Sequence, residues 1–138
     1  MSIVQTQTTS FKAELYQAVH NLLTDTLYMA LYTGYANLNA ATTVYSATNE
    51  VSGTGYTPGG IQVTGASVNV YTYTAYVNFN NVVWPNSLIT ARCGLLYNVS
   101  KGNKSICVID FGSDKTMTNF TITMPANTYT TALIRSSN

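Results

Sequence analysis

Charge is what this chain has least of. Lys, Arg, Asp and Glu make up 8% of its 138 residues, against about a quarter in ordinary soluble domains. Six basic residues, five acidic ones and one histidine are all its ionic chemistry. General acid–base and metal-assisted catalysis need clustered titratable groups, so the composition argues against an enzyme. Two cysteines and one histidine are too few for a structural zinc site, and no cofactor or metal is expected. The net charge is +1, and Lys12, Arg92, Lys101, Lys104, Lys115 and Arg135 are scattered. The electrostatic footprint of a nucleic-acid binder is therefore missing. No apolar run reaches the roughly 18 residues of a membrane helix, so no membrane partner is expected. The first ten residues lack the basic and apolar regions of a secretory signal, and synthesis in a cytoplasm is the expectation.

What is present instead is Thr, Asn, Ser, Gly and eleven Tyr. A surface of hydroxyls, amides and phenol rings loses little on desolvation, and aromatic residues are enriched in interface cores. Low net charge weakens self-repulsion. Such a chain is suited to being packed against something, as a homo-oligomer (dimer or trimer) or a subunit of an assembly. Its length fits one domain, with roughly 7,000 Å² of folded surface.

Patterning gives an all-β fold, a β-sandwich or jelly roll with one short N-terminal helix. Residues 1–10 read as a flexible, uncharged arm, and 11–138 as the single domain. Ser10 reads as an N-cap, followed by Phe11, Leu15, Ala18, Val19 and Leu22 at helical spacing, which predicts a helix from Phe11 to Leu23. Strands are expected at 27–32, 61–66, 68–71, 75–79, 89–97, 105–111, 120–124 and 132–135, several with period-2 alternation. The turn at Asn98–Asn103 makes 89–97 and 105–111 the clearest hairpin. Thr33–Asn49 is a polar connection, with a turn of helix allowed at Ala40–Tyr45. Such short strands with Gly, Asn and Pro turns are the signature of a sandwich.

Signals that imitate chemistry do not hold. The loop Ser52–Gly60 carries four glycines, but no Lys-Ser/Thr follows and a strand, not a helix, comes next. Asp110 and Asp114 flank Gly112, far short of the oxygens that calcium takes, and read as a solvated turn. No G-x-S-x-G occurs, and His20 lies on the predicted helix. Asn98-Val-Ser, Asn103-Lys-Ser and Asn119-Phe-Thr are chance matches to the glycosylation pattern. Cys93 and Cys107 face each other across the hairpin on one register, so a disulfide is conceivable; two buried, reduced thiols are favoured. The tyrosines divide between core and subunit interface.

Tyr28-Met-Ala-Leu-Tyr-Thr33 and Asn49-Glu-Val-Ser-Gly-Thr-Gly-Tyr56 carry a resemblance. So do Trp84-Pro85, Thr90-Ala-Arg92, Leu95-Leu-Tyr97 and Val108-Ile-Asp-Phe-Gly112. Over about residues 11–135 the chain resembles a group of small tailed-bacteriophage virion proteins. Many of these carry an arginine shortly after the motif tyrosine, where this chain has Thr57-Pro58-Gly59. The resemblance implies a structural virion protein of capsid decoration (cement) type, located on the outer shell with the major capsid protein as partner. Head–tail, tail or fibre proteins share these features. The contact elements expected are the arm Ser2–Ser10, the exposed side of the helix and the Thr33–Gly60 loops. Phe11, Tyr16, His20, Tyr35, Tyr45 and Tyr56 are the candidate interface residues. A glycan-binding sandwich using Tyr35, Tyr45 and Tyr56 for stacking is the competing class. Deletion of residues 2–9 is expected to leave the fold intact.

Overall fold

The computed structural model describes residues 2–137 and is all-β with one short α-helix. In chain order the strands are β1 Ser2–Ile3, β2 Thr6–Gln7, β3 Leu27–Tyr32, β4 Asn37–Leu38, β5 Ile61–Val63 and β6 Ser67–Tyr71. There follow β7 Thr74–Asn78, β8 Val82–Val83, β9 Leu88–Asn98, β10 Lys104–Thr118, β11 Thr121–Ile122 and β12 Ile134–Ser137. The helix α1 spans Thr9–Tyr16. The main sheet has the order β2-β10-β9-β3-β5, and a three-stranded sheet has the order β12-β7-β6. Two small sheets, β1-β4 and β11-β8, complete the set. The accessible surface is 7175 Å², in line with mass scaling.

The centre of the main sheet is apolar on both sides. β3 buries Leu27 and every residue from Met29 to Tyr32, as expected of a strand covered on both faces. Met29, Leu31, Leu96, Ile106, Cys107 and Ile109 join Phe11, Phe79, Trp84, Phe120, Ile122 and Ile134 in the larger core. Ala30, Tyr32, Leu38, Cys93, Leu95, Tyr97 and Val108 form the smaller one. The β9–β10 hairpin turns through Gly102 and Asn103, both with positive φ, where the sequence predicted it. Its ladder shifts register between Ser105 and Cys107. That bulge puts neighbours Ile106 and Cys107 into the same core, which a regular strand forbids. Cys107 pairs with Leu96 and Cys93 with Asp110, so the thiols are not opposite each other. Both are free and buried, in different cores. The Asp110–Asp114 segment is a second irregularity within β10, not a free turn. There Asp110 accepts from Arg92 Nε at 3.3 Å and from the Gly112 N–H at 2.8 Å.

Two expectations are corrected. Residues 2–10 are not a flexible arm: β1 pairs in parallel with β4, and β2 pairs antiparallel with β10. Thr8 is fully buried and is the true N-cap, accepting from Phe11 N at 3.3 Å while its hydroxyl meets Ser105 Oγ at 2.9 Å. The helix also ends at Tyr16, not at Leu23. Ala18 adopts φ +59°, with Ala18 N–H donating to Leu15 O and Val19 N–H to Glu14 O. This is a Schellman ending with alanine where glycine is usual. The chain reverses there, so Leu22 reaches the core by a second route, and Leu15 is left exposed.

Three outcomes follow, each read by denaturant or thermal unfolding. Ala18→Gly relieves the left-handed alanine and stabilises the fold by about 0.5–1 kcal/mol. Thr8→Ala removes the cap and costs about 1–2 kcal/mol. Deleting residues 2–9 lowers the melting temperature, because the β1–β4 and β2–β10 pairings and the Thr8 cap are lost with them.

Candidate functional site

The Glu50 carboxylate accepts three hydrogen bonds from within the fold. Glu50 is the sole acid between Asp25 and Asp110. Its placement starts with backbone pairing beside β3: Thr33 N–H donates to Asn49 O at 2.9 Å and Val51 N–H to Leu31 O at 3.0 Å. Residues 49–51 thus run along the end of β3 that β5 leaves open. From there Glu50 Oε1 accepts from the Tyr45 hydroxyl at 2.7 Å. Oε2 accepts from the Tyr56 hydroxyl, in a short bond, and from Gly59 N–H at 2.8 Å.

Those tyrosines belong to different cores. Tyr45 stacks on Tyr97 at 4.8 Å against the smaller core. Tyr56 stacks on Trp84 at 6.3 Å against the larger one, and its oxygen accepts from Leu31 N–H at 3.0 Å. One carboxylate therefore ties both cores together around the sheet edge. Tyr97 donates to Gly59 O at 2.6 Å, and Tyr32 to Ser46 O at 2.7 Å. The glycine-rich loop closes the clasp. Gly60, at φ +86°, lies so close to β3 that a Cβ would fall on the Met29 carbonyl. Its glycines serve tight packing and a carboxylate of the chain itself.

Burial pushes the Tyr97 hydroxyl up to about 12. Burial first, and Glu50 next to it, raise Tyr32 and Tyr45 further, and burial with the Glu50 hydrogen bond does the same for Tyr56. Burial likewise pushes both cysteine thiols up to about 12, the condition of unreactive thiols.

A second polar centre lies beneath α1. The His20 side chain is fully buried, with Nε2 at 2.9 Å from Glu14 Oε1 and its ring 5.0 Å from that of Phe11. Asn98 Nδ2 donates to His20 Nδ1 at 2.9 Å and to Asp25 Oδ2 at 2.8 Å. Nδ1 is then an acceptor, and Nε2–H donates to Glu14. Desolvation raises the Asp25 pKa, but hydrogen bonds from Asn21 N–H and Asn98, with the Lys101 ammonium nearby, outweigh it and leave it lowered.

The six candidate interface residues therefore separate. Phe11 is core, His20 is internal, and Tyr45 and Tyr56 are clasp members. Tyr16 and Tyr35 are 93% and 80% exposed. Glu50, Asn98 and Thr8 were not among the individual candidate residues; the signal for Glu50 was an isolated acid in an almost uncharged stretch. Among the described residues no group of three His, Cys, Asp or Glu side chains is placed to hold a metal ion, and no helix is long and apolar enough to cross a membrane. No protein-family model, curated protein or solved structure matches this chain.

The clasp makes two outcomes measurable. Glu50→Ala strands two hydroxyls and an N–H, and lowers unfolding stability by about 3 kcal/mol. Phenols with a pKa raised by folding stay protonated after the unfolded chain ionises. Their contribution is complete below the ordinary tyrosine value of 10.0 and is lost as pH rises through the folded values. Unfolding midpoints hold up to about pH 9 and fall above about pH 10, with tyrosinate absorbance rising as structure is lost. Midpoints that stay level through that range would contradict the assignment.

Proposed function

We propose that this chain is a structural virion protein of capsid decoration type, binding the outer shell of a tailed-bacteriophage capsid and bridging neighbouring capsid subunits. The observation that carries this reading is the division of its polar chemistry. Glu14, Asp25, Glu50 and Asp110 are each engaged by partners within the fold. From Val51 to Ala91 the sequence has no Lys, Arg, His, Asp or Glu at all. The exterior is therefore largely hydroxyl, amide and ring, a surface that another protein covers at little desolvation cost. The resemblance of Glu50-Val-Ser-Gly-Thr-Gly-Tyr56 to the virion motif gains a physical meaning, since its first and last residues are hydrogen-bonded to each other. In this chain the two ends of the motif hold the loop to the rest of the fold.

Adhesion needs no chemistry. A subunit that binds the assembled shell and not its separated parts stabilises it by mass action. Tyr16 and Tyr35, both free of internal work, are the shell-facing candidates that survive from the sequence. The competing glycan reading would have to use Tyr45 and Tyr56 rings whose hydroxyls Glu50 already holds.

The deciding measurement is the copy number of this chain in purified virions, by quantitative mass spectrometry against the major capsid subunit. A number comparable to that subunit is the expected result. A small fixed number assigns the protein to a vertex or the tail instead. On shells, Tyr35→Ala reduces occupancy without changing the melting temperature of the free protein.

A further inference from the structure

The three-stranded sheet ends in an edge that no other strand among the described residues pairs with. β6, Ser67-Val-Asn-Val-Tyr71, pairs with β7 on one side and stands last in the order β12-β7-β6. Among the described residues no backbone hydrogen bond reaches its other side. Proteins blunt such edges with lysine, proline, inward charges or a covering element. This one has none of those residues: β6, the turn and β7 are uncharged and proline-free from Ser67 to Asn78. Val70, at the middle of the edge, is 74% exposed and Val68 is 48% exposed.

The side-chain pattern suits one occupant. Val68 and Val70 share the sheet face of Ala75 and Val77, by register with β7. Val77 and Ile134 on that face reach the larger core, so the two valines are the part of the core face that overhangs. The run Val68-Asn69-Val70 reads the same in both directions. If a second β6 pairs antiparallel with Asn69 on a two-fold axis, each Val68 lies opposite the other copy's Val70, and all four valines fall on one face. A slip by one residue would put valine opposite asparagine on the wrong face.

We infer that β6 is the self-association edge of this protein, joining two copies through an antiparallel β6–β6 pair centred on Asn69 into one six-stranded sheet. Such a contact is isologous and closes after two copies. Tyr71 and Tyr73 are 52% and 82% exposed; at about 200 Å² per aromatic side chain they alone offer roughly 250 Å² per copy. With four valines and two strand backbones, the pair approaches the ~1,000 Å² in total that a specific interface requires. Tyr71 is already stacked on Tyr129 at 4.3 Å, which lowers the ordering entropy lost on association. The inference stands apart from the virion reading, since it concerns the free protein.

Sedimentation velocity of the purified full chain, from low micromolar to millimolar concentration, tests it. The expected species has twice the 14.9 kDa chain mass. Val70→Lys weakens association by more than about tenfold, as an edge lysine does, with an unchanged circular dichroism spectrum and melting temperature. Under mild oxidation Asn69→Cys forms a covalent dimer, because equivalent residues meet on the axis. Ser67→Cys, opposite Tyr71 of the other copy, does not. A chain that stays monomeric throughout, a larger closed oligomer, or a dimer indifferent to Val70→Lys would each overturn the inference.

Discussion

A single carboxylate holds the two cores of this protein to a common frame. The five-stranded sheet has apolar side chains on both faces, and those faces communicate only around its edges. At the β3 edge the connection passes through Glu50, whose two oxygens accept from tyrosines of opposite cores. The loop between Thr33 and Gly60 contains little regular structure, yet it is fixed at both ends by this arrangement. Its early part is held through Tyr45 and the Tyr32–Ser46 bond, and its late part through Gly59 and Tyr56. Charge-assisted hydrogen bonds are about twice as strong as neutral ones, so the few charges are placed where a weaker link would let the two layers drift.

The same logic runs through three more of the five acids. Glu14 orients His20 beneath the helix, Asp25 holds Asn98 at the start of the hairpin turn, and Asp110 gathers Arg92 and Gly112 at the irregularity in β10. Each acid organises a place where regular strand or helix geometry stops. This low-charge chain thus uses four of its five acids as internal fasteners.

Local features were legible from the sequence because local chemistry decides them. The Asn98–Asn103 turn needs residues tolerant of positive φ, and Gly102 and Asn103 supply them. The alternation at 75–79 survives as β7 because one face of that strand meets the core. Elsewhere tertiary partners overrode the pattern. Phe11, Leu15, Val19 and Leu22 have true helical spacing, but Ala18 turns left-handed after two turns and the later residues arrive by a different path. The polar N-terminus reads as an arm because a two-residue strand pairs through its backbone, which leaves no hydrophobic signature. Tyr45 and Tyr56 looked like surface rings since their partner, Glu50, is a residue type that sequence reasoning places in solvent.

The bulge at Ile106 has one more consequence. By sending Cys107 into the larger core while Cys93 remains in the smaller, it places the sheet itself between the two sulfurs. No bond can form between them without dismantling the central strands. The covalent structure is therefore the same in a reducing cell and in an oxidising medium. A protein made in one and exposed to the other keeps its shape without any redox step at the crossing.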